Sequence, residues 1–168
     1  MSFAELESDF LELTREIIWC TMTTVDTRGR PRSRVVHPIW QVVEGRPVGW
    51  VATAKTPVKT AHLAANPNVA FSYWSPAQHV VLGECVATWT EEADAKQEVW
   101  ALFTTTPEPI GYDLTKFGVT GPQDAAFTPL RLDPWRVQVL RGEEFPTTLT
   151  PTTWSVSRPP HAGAAGEA

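Results

Sequence analysis

The run Val48-Gly49-Trp50-Val51-Ala52-Thr53-Ala54-Lys55-Thr56-Pro57-Val58-Lys59-Thr60-Ala61-His62-Leu63-Ala64-Ala65-Asn66-Pro67 decides how the rest of the chain is read. Val48 to Ala54 is rich in β-branched and aromatic residues and predicts a strand. Thr56 then stands as an N-cap with Pro57 at the first helical position. Asn66-Pro67 closes that short helix, because the residue before a proline avoids the helical region. A second strand follows over Val69 to Trp74. Strand, hydroxyl-and-lysine turn and short helix together suit a phosphate. The helix offers unpaired N–H groups and a positive dipole end, Thr53 and Thr56 offer hydroxyls, and Lys59 offers a charge. The competing reading is a surface crossover whose lysines only keep it soluble.

Working outward, Phe3 to Ile18 predicts a helix. Ser2 and Glu5 stand at capping-box spacing, and Phe3, Leu6, Phe10, Leu13 and Ile17 form one apolar stripe. Trp19 to Val25 is a strand that ends in the turn Asp26-Thr27-Arg28-Gly29, and Arg32 to Val43 returns as one long second strand. Glu44-Gly45-Arg46-Pro47 turns it into the third. Beyond Trp74, Ser75-Pro76-Ala77 is a break, and His79 to Thr90 is a strand with Gly83 in its middle, which signals a bulge or a close backbone approach. Glu91 to Thr104 predicts a helix. Residues 105–123 are rich in proline, glycine and threonine and form a long loop, either a lid or a dimer contact. Phe127 to Leu140 is the last strand or strand pair, broken at Asp133-Pro134.

Short strands joined by hairpin turns predict a mainly β fold with peripheral helices, an antiparallel sheet closed on itself. The 168 residues suit one domain. It is placed at residues 1–150, with the N-terminal helix over 2–18, the barrel over about 18–142, and a tail over 151–168 that is disordered at its end. A net charge of −5 speaks against a nucleic-acid partner, though not against a small anion in a local basic pocket. Eight tryptophans serve core and interface bulk or partly wall a flat ring system. Cys20 and Cys85 fall in predicted strands without metal spacing and read as small buried hydrophobes. The acidic, amphipathic start is not a signal peptide and no apolar run is long enough to span a bilayer, so no membrane partner and a cytoplasmic location are expected.

Thr53, Lys59, Leu63 and Asn66-Pro67 stand at the spacing T-x5-K-x3-L-x2-N-P, which resembles the pyridoxamine 5′-phosphate oxidase-like split barrels that bind flavins and deazaflavins. Thr24 to Pro31, as T-x-D-x-x-G-x-P, resembles their first hairpin, and Leu132-x-Pro134-Trp135-Arg136-Val137 their closing strand. The resemblance spans residues 15–141. It implies a six-stranded antiparallel split β-barrel of the FMN-binding type, a homodimer with a cofactor in each of two interface sites. The activity implied is that of a flavin- or deazaflavin-dependent oxidoreductase acting on an unidentified small molecule. The alternative is a non-enzymatic flavin- or haem-binding carrier or sensor. FMN is the leading cofactor, with FAD, coenzyme F420 and haem as alternatives. Two departures set this chain apart from the vitamin oxidase itself. Val58 replaces an extra phosphate-site arginine, and Trp154-Ser155-Val156-Ser157-Arg158-Pro159-Pro160-His161 stands where that enzyme carries Arg-x-His-Asp-Arg.

The resemblance assigns the phosphate to Lys59 and Thr53, with Thr60, Lys55 and Thr56 close by; Lys55 and Thr56 are otherwise solvated. On the second strand, counting from Gly29 selects Arg34, and counting back from Thr53 selects His37 or Pro38. In a regular strand an odd slip flips faces, so Arg34 and His37 would not both meet the ligand. Arg34 is preferred because a guanidinium matches phosphate oxygens bidentately, and His37 reads more readily as a structural histidine. Val36 lies between them. His79 begins a strand where relatives often place a polar residue near the flavin ring, and Trp74 and Gln78 lie just before it. Trp135 and Arg136 belong to the closing strand, which faces the partner's cofactor or simply carries surface charge. No metal-ligand cluster or catalytic triad stands out, which fits chemistry carried by a cofactor.

Overall fold

The computed structural model describes residues 1–145 and 147–157. Its element order is α1 (Glu7–Ile17), β1 (Cys20–Val25), β2 (Pro31–Val36), β3 (Pro38–Val43), β4 (Arg46–Val51), α2 (Pro57–Ala65), β5 (Asn68–Trp74), β6 (Val80–Trp89), α3 (Ala93–Thr105), β7 (Leu130–Leu140) and β8 (Thr152–Ser155). All strands pair antiparallel along the path β2-β1-β5-β6-β7-β4-β3, with β8 added beside β7. The two ends of this path, β2 and β3, are separated in the chain by His37 alone. Counting them as one bent strand leaves the six strands expected of the split barrel, with β8 outside the count.

That bend corrects the single strand expected over Arg32 to Val43. Residues 36–40 are all buried, so the alternation of a regular strand is lost at His37-Pro38, where proline removes a ladder N–H. The stretch read as a tail also begins differently. Thr152–Ser155 pairs with β7 and buries Trp154, while residues 158–168 lie outside the described residues.

Phe3, Leu6, Phe10 and Leu13 from the N-terminal segment are each 2% exposed or less and enter the barrel core with Met22, Trp40, Phe71 and Tyr73. The Glu5 carboxylate accepts the Ser2 N–H at 2.7 Å and so holds the start of this segment. Two glycines let aromatic rings lie against neighbouring strands. Trp40 pairs with Gly49 and Phe71 with Gly83. A β-carbon on Gly83 would stand 2.1 Å from the Phe71 ring, and one on Gly49 would stand 2.6 Å from Trp40. The ladder between β6 and β7 slips after Glu84, where Glu84 faces Arg136 and Cys85 faces Pro134, so Trp135 is the extra residue of a bulge. Burial pushes the Cys20 thiol up to about 12 and that of Cys85 well above its usual range, as suits inert core residues.

A second core of Ile39, Val99, Phe103, Leu114 and Phe127 fixes α3 and the loop after it against β3. This loop, expected over residues 105–123, contains a 3-10 turn at Leu114–Phe117. Among the described residues, no helix is long and apolar enough to cross a membrane.

Candidate functional site

The site grows out of the β4–α2 junction. Thr56 Oγ1 accepts the Lys59 N–H at 3.3 Å, and Pro57 occupies the first helical position, so the helix starts as its cap chemistry dictates. One turn in, the Lys59 ammonium folds back and donates to Thr53 Oγ1 at 2.5 Å and to the Ala54 carbonyl at 3.0 Å. Arg34, on β2, donates through Nη2 to Thr24 Oγ1 at 3.2 Å, while its Nη1 is buried with no hydrogen-bond partner. Burial lowers the pKa of both groups, and the charge of Arg34 lowers Lys59 further.

Two cations are thus held near one another in a partly dry corner, and among the described residues neither forms an ion pair. Buried charge without a counter-charge is costly, and the fold supplies neither cation with a carboxylate among the described residues. Guanidinium, ammonium, the Thr53 hydroxyl and the N-terminal end of α2 make a donor set that fits a phosphate.

Beside Thr53 opens a cavity of about 660 Å³, within the range of small-molecule sites. Its wall is mostly apolar and includes Trp19, Val36, His37, Tyr112 and Phe117. His37 is 9% exposed, with ring centroids 5.3 Å from Trp19 and 4.9 Å from Tyr112. Burial lowers its pKa, partly offset by a hydrogen bond with the backbone of Ile110. Burial also pushes Tyr112 up to about 12. The loop after α3 therefore supplies much of this wall. Because the strand bends at His37, Arg34 serves the cationic corner while Val36 and His37 line the cavity. The expectation that Arg34 and His37 would not both meet a ligand assumes a regular strand, and the strand is broken at His37.

The other candidates are not gathered here. Lys55 pairs with Glu91, and its ammonium lies 5.8 Å from the Trp89 ring. The Thr60 hydroxyl donates to the Thr56 carbonyl at 3.0 Å within its own helix. Trp74 is exposed, and Gln78 takes a positive φ of 65° in the turn before β6. His79 Nδ1 accepts the Gly142 N–H at 3.0 Å. Arg136 pairs with Glu84 at 2.8 Å, and the Trp135 indole nitrogen is buried without a partner. Three residues that the sequence reading did not single out lie here: Thr24, which accepts from Arg34, His62, whose Nδ1 lies 3.2 Å from the Thr24 hydroxyl, and Tyr112 in the cavity wall. Thr24 heads the T-x-D-x-x-G-x-P hairpin and His62 lies three residues beyond Lys59, but neither position shows a ligand role in one dimension. Among the described residues, no group of three or more His, Cys, Asp or Glu side chains could hold a metal ion.

An antiparallel barrel with two unpaired cations at a strand–helix junction, next to an apolar cavity, has the architecture of a split barrel. Residues 6–140 match the family model described as pyridoxamine 5′-phosphate oxidase, and the chain belongs to that family. No curated protein matches the sequence significantly.

Solved structures agree on the fold. A Clostridium acetobutylicum protein related to general stress protein 26 is 13% identical with a TM-score of 0.68, over 93% of this chain and 97% of that one. A pyridoxamine 5′-phosphate oxidase-related, FMN-binding protein from Nostoc punctiforme is 15% identical with a TM-score of 0.62, over 92% and 96%. PhzG from Burkholderia lata, solved with tetrahydrophenazine-1-carboxylic acid, is 16% identical with a TM-score of 0.57, over 82% and 79%.

Proposed function

We propose that the Arg34–Lys59 corner holds the phosphate of FMN and that the chain is a flavin-dependent oxidoreductase acting on a small molecule. The observation that carries this reading is the buried, unpartnered Nη1 of Arg34 beside a second cation that also lacks a carboxylate. Thr53 and the α2 N-terminus would complete the phosphate seat, and Val36 and His37 would line the space for the ring. A bound flavin supplies hydride or single-electron transfer. The protein's share is to bind, orient and exclude water. The FMN-binding Nostoc protein and PhzG with its tetrahydrophenazine-1-carboxylic acid support the same reading.

The functional unit in this proposal is a homodimer with the cofactor at its interface. Trp19, Val35 and Phe117 rim the cavity and are 60%, 66% and 74% exposed, an apolar edge that a second copy would cover. The closing-strand residues Trp135 and Arg136, and Trp74, Gln78 and His79, would then act only across that interface. A cytoplasmic location goes with this reading.

The test starts from the purified protein, titrated with FMN, FAD and coenzyme F420. Tight binding of FMN, with the bound flavin reduced by NAD(P)H and reoxidised by an electron acceptor, is the expected result. Binding without turnover would favour the carrier or sensor reading. A Soret band would indicate haem, and a protein that binds none of these ligands would overturn the proposal.

A further inference from the structure

Thr24 lies fully buried in β1, and its hydroxyl is approached from two sides. Arg34 Nη2 stands 3.2 Å from Oγ1 on one side, and His62 Nδ1 stands 3.2 Å from it on the other. His62 belongs to α2, three residues beyond Lys59, and is 8% exposed. A guanidinium only donates, so it takes one lone pair of the hydroxyl, and the hydroxyl can give its proton to Nδ1 when the imidazole carries its own proton on Nε2.

We infer that His62 is a positioning residue for the anion seat, acting through Thr24 to fix the Arg34 guanidinium so that Nη1 stays free for a phosphate oxygen. This rests on the reading of the corner as a phosphate site. Arg34 makes no other side-chain hydrogen bond among the described residues, so the Thr24 hydroxyl is its one polar anchor. An arginine on a strand keeps several rotamers unless something locks it, and locking it before the ligand arrives lowers the entropy lost on binding. Helix α2 thereby serves the seat twice. Lys59 acts directly, and His62 acts through a hydrogen-bond chain that crosses β1 to β2.

The experiment titrates wild type, His62→Leu, His62→Asn and Thr24→Val with FMN and with phosphate-free riboflavin, with a melting temperature for each. Wild type is expected to prefer FMN. His62→Leu should lose about threefold to tenfold in FMN affinity, the worth of one hydrogen bond, with riboflavin affinity unchanged. His62→Asn, whose amide oxygen can replace Nδ1 as acceptor, should recover most of that loss. Thr24→Val, nearly isosteric, should reproduce His62→Leu and stands in for it should that variant not fold.

Wild-type FMN affinity in both His62→Leu and Thr24→Val would overturn the inference. So would a parallel loss of FMN and riboflavin, which is the mark of a packing defect. A neutral His62 protonated on Nδ1 in nitrogen NMR spectra would also overturn it. A wild type that binds riboflavin as well as FMN would instead overturn the phosphate reading, and the inference with it.

Discussion

Arg34 and Arg141 are both half-buried arginines of one barrel, and they live in opposite surroundings. Arg141 donates to Asp9 at 2.7 Å and to Glu12 at 2.7 Å, tying α1 to the end of β7, and these carboxylates raise its pKa. Arg34 meets one neutral hydroxyl, keeps a buried nitrogen without a partner, and shares its corner with Lys59. The first arginine has its counter-charge inside the fold. The second lacks one, and burial lowers its pKa. Lys55 with Glu91 and Arg136 with Glu84 follow the pattern of Arg141. Sequence alone treats these side chains as equivalent cations; in the fold Arg141, Lys55 and Arg136 have a carboxylate, and Arg34 and Lys59, which we propose for the ligand, do not.

The largest expected effect comes from emptying the corner. Arg34→Met should weaken FMN binding by about tenfold to a hundredfold, since charge-assisted hydrogen bonds are worth about 1.5–3 kcal/mol. The same change should leave the melting temperature of the ligand-free protein unchanged or higher, because it removes a charge that faces another of like sign. Lower affinity together with lower stability would place Arg34 with the structural cations. Arg141→Ala should do the reverse. Its melting temperature falls by a few degrees as α1 loses its two ion pairs, and FMN affinity holds.

A smaller effect concerns the β1–β2 hairpin that carries Arg34. The Asp26 carboxylate accepts the N–H groups of Arg28 at 2.9 Å and Arg30 at 3.0 Å and pairs with the Arg30 and Arg32 side chains, which holds its pKa well below the usual carboxylate range. A carboxyl depressed on folding stabilises the native state above its unfolded pKa of about 3.9, and that contribution is lost as pH falls toward the folded value. Asp26→Asn should therefore be less stable than wild type at neutral pH, and the gap should begin to narrow below about pH 4 and shrink steadily as pH falls further. Melting curves across this range check it; a gap that stays constant with pH would contradict the assignment.

Much of this was legible in one dimension. Thr56-Pro57 and Asn66-Pro67 bound α2 as their backbone chemistry requires, Glu44-Gly45 turns with φ of 50° and 73°, and Gly83 marks the close approach of Phe71. Thr53 and Lys59, named together as phosphate candidates, do lie in hydrogen-bond contact. The break at His37-Pro38 was hidden because Val35, Val36, Ile39 and Trp40 all favour strand, and local propensity does not say which edge of a sheet a residue joins. β8 was hidden by the prolines around it. Which lysines and arginines were already paired could not be read either, because Glu84, Glu91 and Glu12 reach their partners only through tertiary pairing.

The most direct test of the central claim compares two lysines four residues apart. Lys59→Ala and Lys55→Ala are titrated with FMN beside wild type, with circular dichroism confirming that each is folded. The account predicts that Lys59→Ala loses about tenfold to a hundredfold in affinity. Lys55→Ala, whose ammonium already has Glu91, should stay within about twofold of wild type. Equal losses at the two positions, or a Lys59→Ala protein that binds FMN like wild type, would contradict it.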